Sequence, residues 1–305
     1  MTGNDAPRST ALLPADALVT RLATGASWSE GPVWLAGAGV LRWSDIPGDR
    51  ILEVDPVSGV TTVHRTDVEF TNGRTLDLDG SVVQCSHGRR RVERERDGVV
   101  TSLVDSWDGH RLNSPNDVVV ASDGAVWFSD PPYGIVQPHE GHPGVREYGG
   151  CYVFRLDQAS GEVRPVVLDV EEPNGLAFSP DERLLYVSDT SAALRTDGTG
   201  NHHIRVYEVG PDGTCTGGRV FAEIDGGLSD GFRVDVEGRV WTSAGAAVQV
   251  FAPTGELLIT VPVPETVGNL CFGGPDGTDL FIAATTSIYH LATLTRDAVG
   301  PRVAS

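Results

Sequence analysis

Six side chains with an oxygen to offer fall at the same place in six copies of one pattern. Glu30, Asn72, Asn116, Asn174, Asp230 and Asn269 each lie eight to ten residues before a short recurring segment. Carboxylate and amide oxygens are the donors that hard cations choose, and Ca²⁺ takes six to eight of them at about 2.3–2.6 Å. Glu30 and Asp230 together balance a divalent charge. Taken singly, an Asn or Asp before Gly is an ordinary entry to a strand or turn; six in phase call for a common position in space. Zinc favours Cys and His, which occupy none of the six positions. The expected cofactor is therefore one divalent cation, Ca²⁺ first, with Mg²⁺, Mn²⁺ or Zn²⁺ as substitutes.

The elements that must bring these donors together are short strands. The recurring segment reads GVLRWSD at 39–45, GSVVQCS at 80–86, GAVWFSD at 124–130, RLLYVSD at 183–189, GRVWTSA at 238–244 and DLFIAAT at 279–285. Its copies start 41, 44, 59, 55 and 41 residues apart, near the period of about 40–50 that marks four-stranded propeller blades. Before each lies another strand ending in a turn, as in NGLAFSPDE, and after most lies an outer hairpin such as ILEVDPVSGVTTVH, so each copy is one strand of a four-stranded unit. The sixth unit lacks a clear fourth strand, while ALVTRLA at 17–23 has no partner. The N-terminal strand is expected to complete the last blade and close the ring. The predicted fold is all-β, a six-bladed β-propeller in one domain over 1–305, with 1–16 irregular. The first strand of each blade lines the channel of a propeller, which turns sequence phase into proximity.

Composition limits the partners. Of 305 residues 40% are apolar, enough for a large core. Acidic residues outnumber basic ones 42 to 23, and the net charge of −19 repels phosphate backbones and anionic bilayers. Neither nucleic acid nor membrane is an expected partner. The start lacks the basic and apolar regions of a secretory signal. Cys85, Cys151, Cys215 and Cys271 show no zinc or disulfide spacing and read as reduced thiols, so the expected location is cytoplasmic. No G-x-S-x-G elbow occurs, and Ser44, Ser129 and Ser188 fall inside second strands, which argues against a serine nucleophile.

The motifs EGPVW at 30–34, CSHGRRRVER at 85–94, RLNSPNDVVVASDGAVWFSDPPYG at 111–134, PNGLAFSPDERLLYVSDT at 173–190, SDGFRVDVEGRVW at 229–241 and NLCFGGPD at 269–276 resemble the senescence marker protein (regucalcin), gluconolactonase and luciferin-regenerating enzyme superfamily. Relatives of that superfamily include squid-type phosphotriesterase propellers. The resemblance covers roughly residues 17–292 and is closest to bacterial gluconolactonases. It implies a propeller with a catalytic divalent metal on its axis, held by Glu30, Asn174 and Asp230. Asn116 resembles a residue that binds metal in some members and substrate in others. Asn72 and Asn269 rest on the repeat alone and are expected to line the channel as hydrogen-bonders.

The implied chemistry is hydrolysis of a small-molecule lactone to its hydroxy acid, with metal polarisation of the carbonyl and attack by water. Asp230 is the first candidate to activate that water, with Asn116 beside it in the catalytic set. Asp117 is held in reserve, because alternation along a strand turns it away from the channel. His87 is a candidate substrate contact. The 131–150 insertion is expected to lie over the channel mouth and to grip hydroxyls through Tyr133, Glu140, Arg146, Glu147 and Tyr148. His139 and His142 belong to that loop, and His202 and His203 to another. Ser114 stands where the animal regucalcin branch has an Arg, so that branch's sugar contacts do not transfer. Two other readings of the same fold remain: an organophosphate or ester hydrolase, and a calcium-binding propeller without activity. The sequence leaves the oligomeric state open.

Overall fold

The computed structural model describes residues 11–300 and 302. Six four-stranded antiparallel sheets follow one another along the chain and form the six blades of a β-propeller. Blade one comprises Ser29–Leu35, Val40–Asp45, Arg50–Val54 and Thr61–Thr66. The inner strands of the next five blades are Thr71–Leu76, Val118–Val120, Pro173–Phe178, Phe232–Val234 and Val267–Gly273. The recurring segment supplies the second strand of every blade: Val40–Asp45, Val82–Ser86, Val126–Asp130, Leu184–Asp189, Val240–Ser243 and Asp279–Ala284. Strand Thr20–Thr24 pairs antiparallel with Ser287–Ala292 as the outermost strand of blade six. The ring is thus closed by the N-terminal segment, as its unpartnered apolar pattern implied. Residues 11–16 carry no strand, and 1–10 lie outside the described residues.

Radial stacking explains the apolar pattern. Each of the six apolar clusters spans a seam between neighbouring blades: Trp127 of blade three packs with Leu176 and Leu185 of blade four, and Trp241 of blade five with Leu270 and Leu280 of blade six. The seam between blades one and two holds a small apolar cluster of Val33, Leu76 and Val82. Beside it charge does the joining. Arg42 pairs with Glu53 and Glu95, and Glu95 also receives His64 and Arg65.

The inner strands crowd at the axis, and this sets residue size. Gly175 N donates to Asp230 O at 2.9 Å, and a Cβ on Gly175 would lie 2.3 Å from that carbonyl. A Cβ on Gly231 would likewise fall 2.0 Å from the Asn269 side chain. Gly175 and Gly231 therefore serve close approach to the neighbouring inner strand, to its backbone in one case and to a side chain in the other, rather than turns. Across the lower mouth runs the C-terminal segment, where Arg302 donates to Leu76 O at 2.7 Å and Val120 O at 2.8 Å. The only helices among the described residues are single turns at Tyr133–Val136 and Ser191–Leu194. Among the described residues no helix is long and apolar enough to cross a membrane. The four cysteines are free thiols, three of them buried.

Candidate functional site

Where the six donors sit, the regular ladder breaks. The pairing of first and second strands shifts register between Glu30 and Val33, Thr71 and Arg74, Pro173 and Leu176, and Val267 and Asn269. Bulges of this kind re-aim side chains, and here they turn donors toward the axis. Asn116 and Asp230 stand just before their strands. Glu30, Asn72, Asn116, Asn174 and Asp230 all line one cavity of about 330 Å³ at the upper mouth. Asn269 lies beneath them, its Nδ2 donating to Glu30 Oε2 at 3.0 Å.

No salt bridge offsets the two carboxylates of this cavity among the described residues, and the positive charge of Arg74 acts on Glu30. A buried Glu30 stands beside a partly buried Asp230. The carboxyl of Glu30 is raised well above its usual range by burial and then by the charge of Asp230. That of Asp230 is raised by burial and by the charges of Glu140 and Asp117. Glu30 Oε2 accepts from Gly31 N at 2.8 Å, while Glu30 Oε1 has no hydrogen-bond partner. An orphaned buried carboxylate oxygen beside a second carboxylate and amide oxygens fits a hard divalent cation. No group of three or more His, Cys, Asp or Glu is placed to share an ion among the described residues, so the donor set is one of oxygens with two amides rather than a zinc-type cluster.

Asp117 departs from the alternation expected of it. It is buried beneath the ring, its Oδ1 donated to by Val118 N at 2.9 Å and its Oδ2 without a partner. Burial raises its carboxyl, against the charge of Arg233 and a hydrogen bond from Asn269. It faces the axis because the chain at 112–117 runs irregularly ahead of Val118–Val120.

His87 does not line the cavity. It is fully buried with Nδ1 3.1 Å from Glu140 O and Nε2 3.2 Å from Asn72 Nδ2. A carbonyl only accepts, so Nδ1 carries the proton and Nε2 accepts from the Asn72 amide. That leaves Asn72 Oδ1 to the cavity. Burial pushes the imidazole down to about 4, so the ring is neutral.

Of the five candidates in the 131–150 insertion, two line the cavity and three do not. Tyr133, Gln137 and Glu140 line the cavity. Tyr133 Oη lies 2.6 Å from Thr190 Oγ1, which accepts from Asn174 Nδ2 at 3.2 Å. Burial and then the charge of Glu30 push Glu140 up to about 7. Arg146, Glu147 and Tyr148 are elsewhere, which corrects the expectation for them. Arg146 Nη1 donates to Cys151 Sγ at 3.6 Å. Glu147 accepts from Arg111 N at 2.8 Å and pairs with Arg90. Tyr148 donates to Asp130 and packs among Trp107, Tyr152 and Phe154. This aromatic cluster draws the second half of the insertion down the side of blade three. His139, His142, His202 and His203 also lie away from the cavity, His142 Nε2 sitting 2.7 Å from Glu69.

Sequence reasoning missed Trp28 and Thr190, which line the cavity. Thr190 directly follows a recurring segment and Trp28 precedes a donor by two, so the repeat carried a signal for both.

The family model described as SMP-30/gluconolactonase/LRE-like region matches residues 28–286. A gluconolactonase of Zymomonas mobilis is 32% identical, the alignment covering 95% of this chain and 85% of that protein. The pentonolactonase XacC of Haloferax volcanii is 32% identical over 87% of this chain and 84% of its own. The solved structure of a Xanthomonas campestris gluconolactonase superposes with a TM-score of 0.85 at 39% identity, covering 93% of this chain and 91% of that one.

Proposed function

Because the chain belongs to the SMP-30/gluconolactonase/LRE-like family, we propose that it is a lactonase that opens a sugar lactone to its aldonic acid at the upper mouth of the propeller, with a divalent cation held by Glu30, Asn116, Asn174 and Asp230. One observation carries this reading: two carboxylates without a salt-bridge partner among the described residues, one of them buried with an orphaned oxygen, share a cavity of about 330 Å³ with amide donors. When bound, a divalent cation supplies Lewis-acid polarisation of the lactone carbonyl and offsets the charge that builds on it. Ca²⁺ fits the oxygen set best.

The chain's own residues do the rest. Burial and the neighbouring carboxylates raise the proton affinity of Asp230, which suits its carboxylate to take a proton from an attacking water. Ser243 Oγ accepts from Asp230 N at 2.8 Å, fixing where that carboxylate starts. Asn116 lines the same cavity and holds the substrate against the base. Hydroxyls of a polyol lactone meet Glu140 and the Asn72 amide oxygen that His87 leaves exposed. Tyr133 braces Thr190 and through it Asn174. The cavity volume suits a five- or six-carbon lactone.

The reading is tested by pH-stat titration of acid release from D-glucono-1,5-lactone, xylonolactone and a fluorophosphate, with and without chelator. Acid from the lactones, abolished by chelator and restored by Ca²⁺, is the expected result. A faster fluorophosphate would move the activity to phosphotriester hydrolysis, and Ca²⁺ binding without turnover would leave a binding propeller.

A further inference from the structure

Three of the six recurring segments end in aspartate: Asp45, Asp130 and Asp189. Each is buried with essentially no exposure, and none touches the axial cavity. Their carboxylates do one job three times. Asp45 Oδ1 accepts from Ser27 N at 2.7 Å and Trp28 N at 3.2 Å. Asp130 accepts from Asn113 N at 2.7 Å through Oδ2 and from Ser114 N at 2.8 Å through Oδ1. Asp189 accepts from Glu171 N at 3.0 Å through Oδ2 and from Glu172 N at 3.3 Å through Oδ1. The donors are in every case the backbone groups three and two residues before Glu30, Asn116 or Asn174.

The other three blades lack this clamp. Blade two ends its segment in Ser86, whose Oγ donates to Glu69 O, and the Asn72 of that blade is oriented by His87 instead. In blade five the Ser243 hydroxyl accepts directly from Asp230 N. Blade six has Ala284 followed by Thr285, and its Asn269 lies beneath the ring. The aspartate therefore occurs in three of the four blades that deliver a proposed ligand, each time bonded to an approach segment that lies outside the strands. Such a segment holds backbone N–H groups that need acceptors, and a carboxylate makes the stronger, shorter bond.

We infer that Asp45, Asp130 and Asp189 are positioning residues, a three-fold set of backbone clamps that hold Glu30, Asn116 and Asn174 at the radius the cation site requires. The inference rests on the reading of that ring as a cation site. Outer partners that orient ligands affect metal affinity about 10- to 100-fold. The two oxygens are used differently, which separates positioning from charge. Asp45 clamps with Oδ1 alone and accepts from Arg50 Nε through Oδ2, so Asn in its place gives up the Arg50 bond but keeps the clamping oxygen. Asp130 needs both oxygens.

The test measures Ca²⁺ affinity by calorimetry and Tb³⁺ luminescence excited through Trp28, on the full chain carrying D45A, D45N, D130A, D130N or D189A. D235A is the control, since Asp235 is an equally buried carboxylate that binds Arg239 and Trp241 Nε1 away from the cavity. Affinity should fall at least about tenfold in D45A, D130A, D130N and D189A. It should stay within about threefold of wild type in D45N, and in D235A despite a lower melting temperature. Equal losses in D45N and D45A, or an unchanged D130A, would overturn the inference. Amide exchange at 27–31, 113–117 and 171–175 is read in the same variants. If wild-type protein binds no Ca²⁺ or Tb³⁺, the cation reading falls and exchange decides alone: faster exchange confined to each variant's own segment sustains the clamps, and unchanged exchange refutes them.

Discussion

At the scale of single residues, the site trades stability for chemistry. Glu30 and Asp230 stand side by side with no salt-bridge partner among the described residues, and each carboxyl is raised by desolvation and by neighbouring carboxylates, a costly arrangement for the empty fold. D230N should therefore melt at a higher temperature than wild type in chelator and at a lower one in excess Ca²⁺, as differential scanning calorimetry would report. The same variant should lose lactone turnover by about 10²–10⁴-fold while keeping its far-UV dichroism. His87 gives a pH prediction with a definite sign. Its folded value of about 4 lies below the ordinary value of about 6.5, so between these the unfolded chain binds more protons. Stability must then fall as pH drops from about 6.5 to 4, by roughly 3 kcal/mol from this group. Urea titrations of wild type and H87Q should differ in slope across that window, and parallel curves would place the ring in water. That five of the six side chains line one cavity was legible, because a repeated phase survives in the sequence. The inward turn of Asp117 was not, since simple alternation ignores the irregular approach that precedes its strand.

At the scale of elements, the strand repeats were readable from apolar alternation and turn residues, and all six second strands fall on the recurring segment. What stayed hidden was how the 131–150 insertion divides. Its composition marks a loop, but the downward pull of the Trp107, Tyr152 and Phe154 cluster on Tyr148 depends on contacts far apart in sequence. The crowding of inner strands predicts that G175A, whose Cβ meets Asp230 O at 2.3 Å, destabilises by about 1–3 kcal/mol and weakens cation affinity with it. An unchanged affinity would show that the strand spacing is not what sets the ring. The polar seam makes a second forecast. Burial alone would raise the Glu95 carboxyl, yet the His64 hydrogen bond and the charges of Arg42 and Arg65 win and hold it at about 2. Its contribution is fully present above the unfolded value of about 4.3 and is lost as pH falls toward 2. E95Q should therefore be less stable than wild type at pH 7, with the difference vanishing near pH 2 in denaturant titrations.

At the scale of the whole molecule, the ring closes by pairing Thr20–Thr24 with Ser287–Ala292, joining the two ends of the chain in one sheet. Removing residues up to Thr24 should bare an unpaired strand edge and produce oligomers in size-exclusion chromatography; a well-behaved monomer of unchanged stability would contradict the closure. The seam was legible because the sixth repeat lacked a strand while the N-terminus had one to spare. The C-terminal crossing by Arg302 was not, since nothing in a lone arginine indicates which carbonyls it will meet. Closure matters to the proposed cation site because its four residues come from blades one, three, four and five, and only an intact ring sets their separation. The most direct measurement is a crystal structure grown in excess Ca²⁺, with anomalous scattering used to locate the ion. The account predicts one ion on the axis with oxygens of Glu30, Asn116, Asn174 and Asp230 at about 2.3–2.6 Å. An empty axis, or an ion bound by other residues, would contradict it.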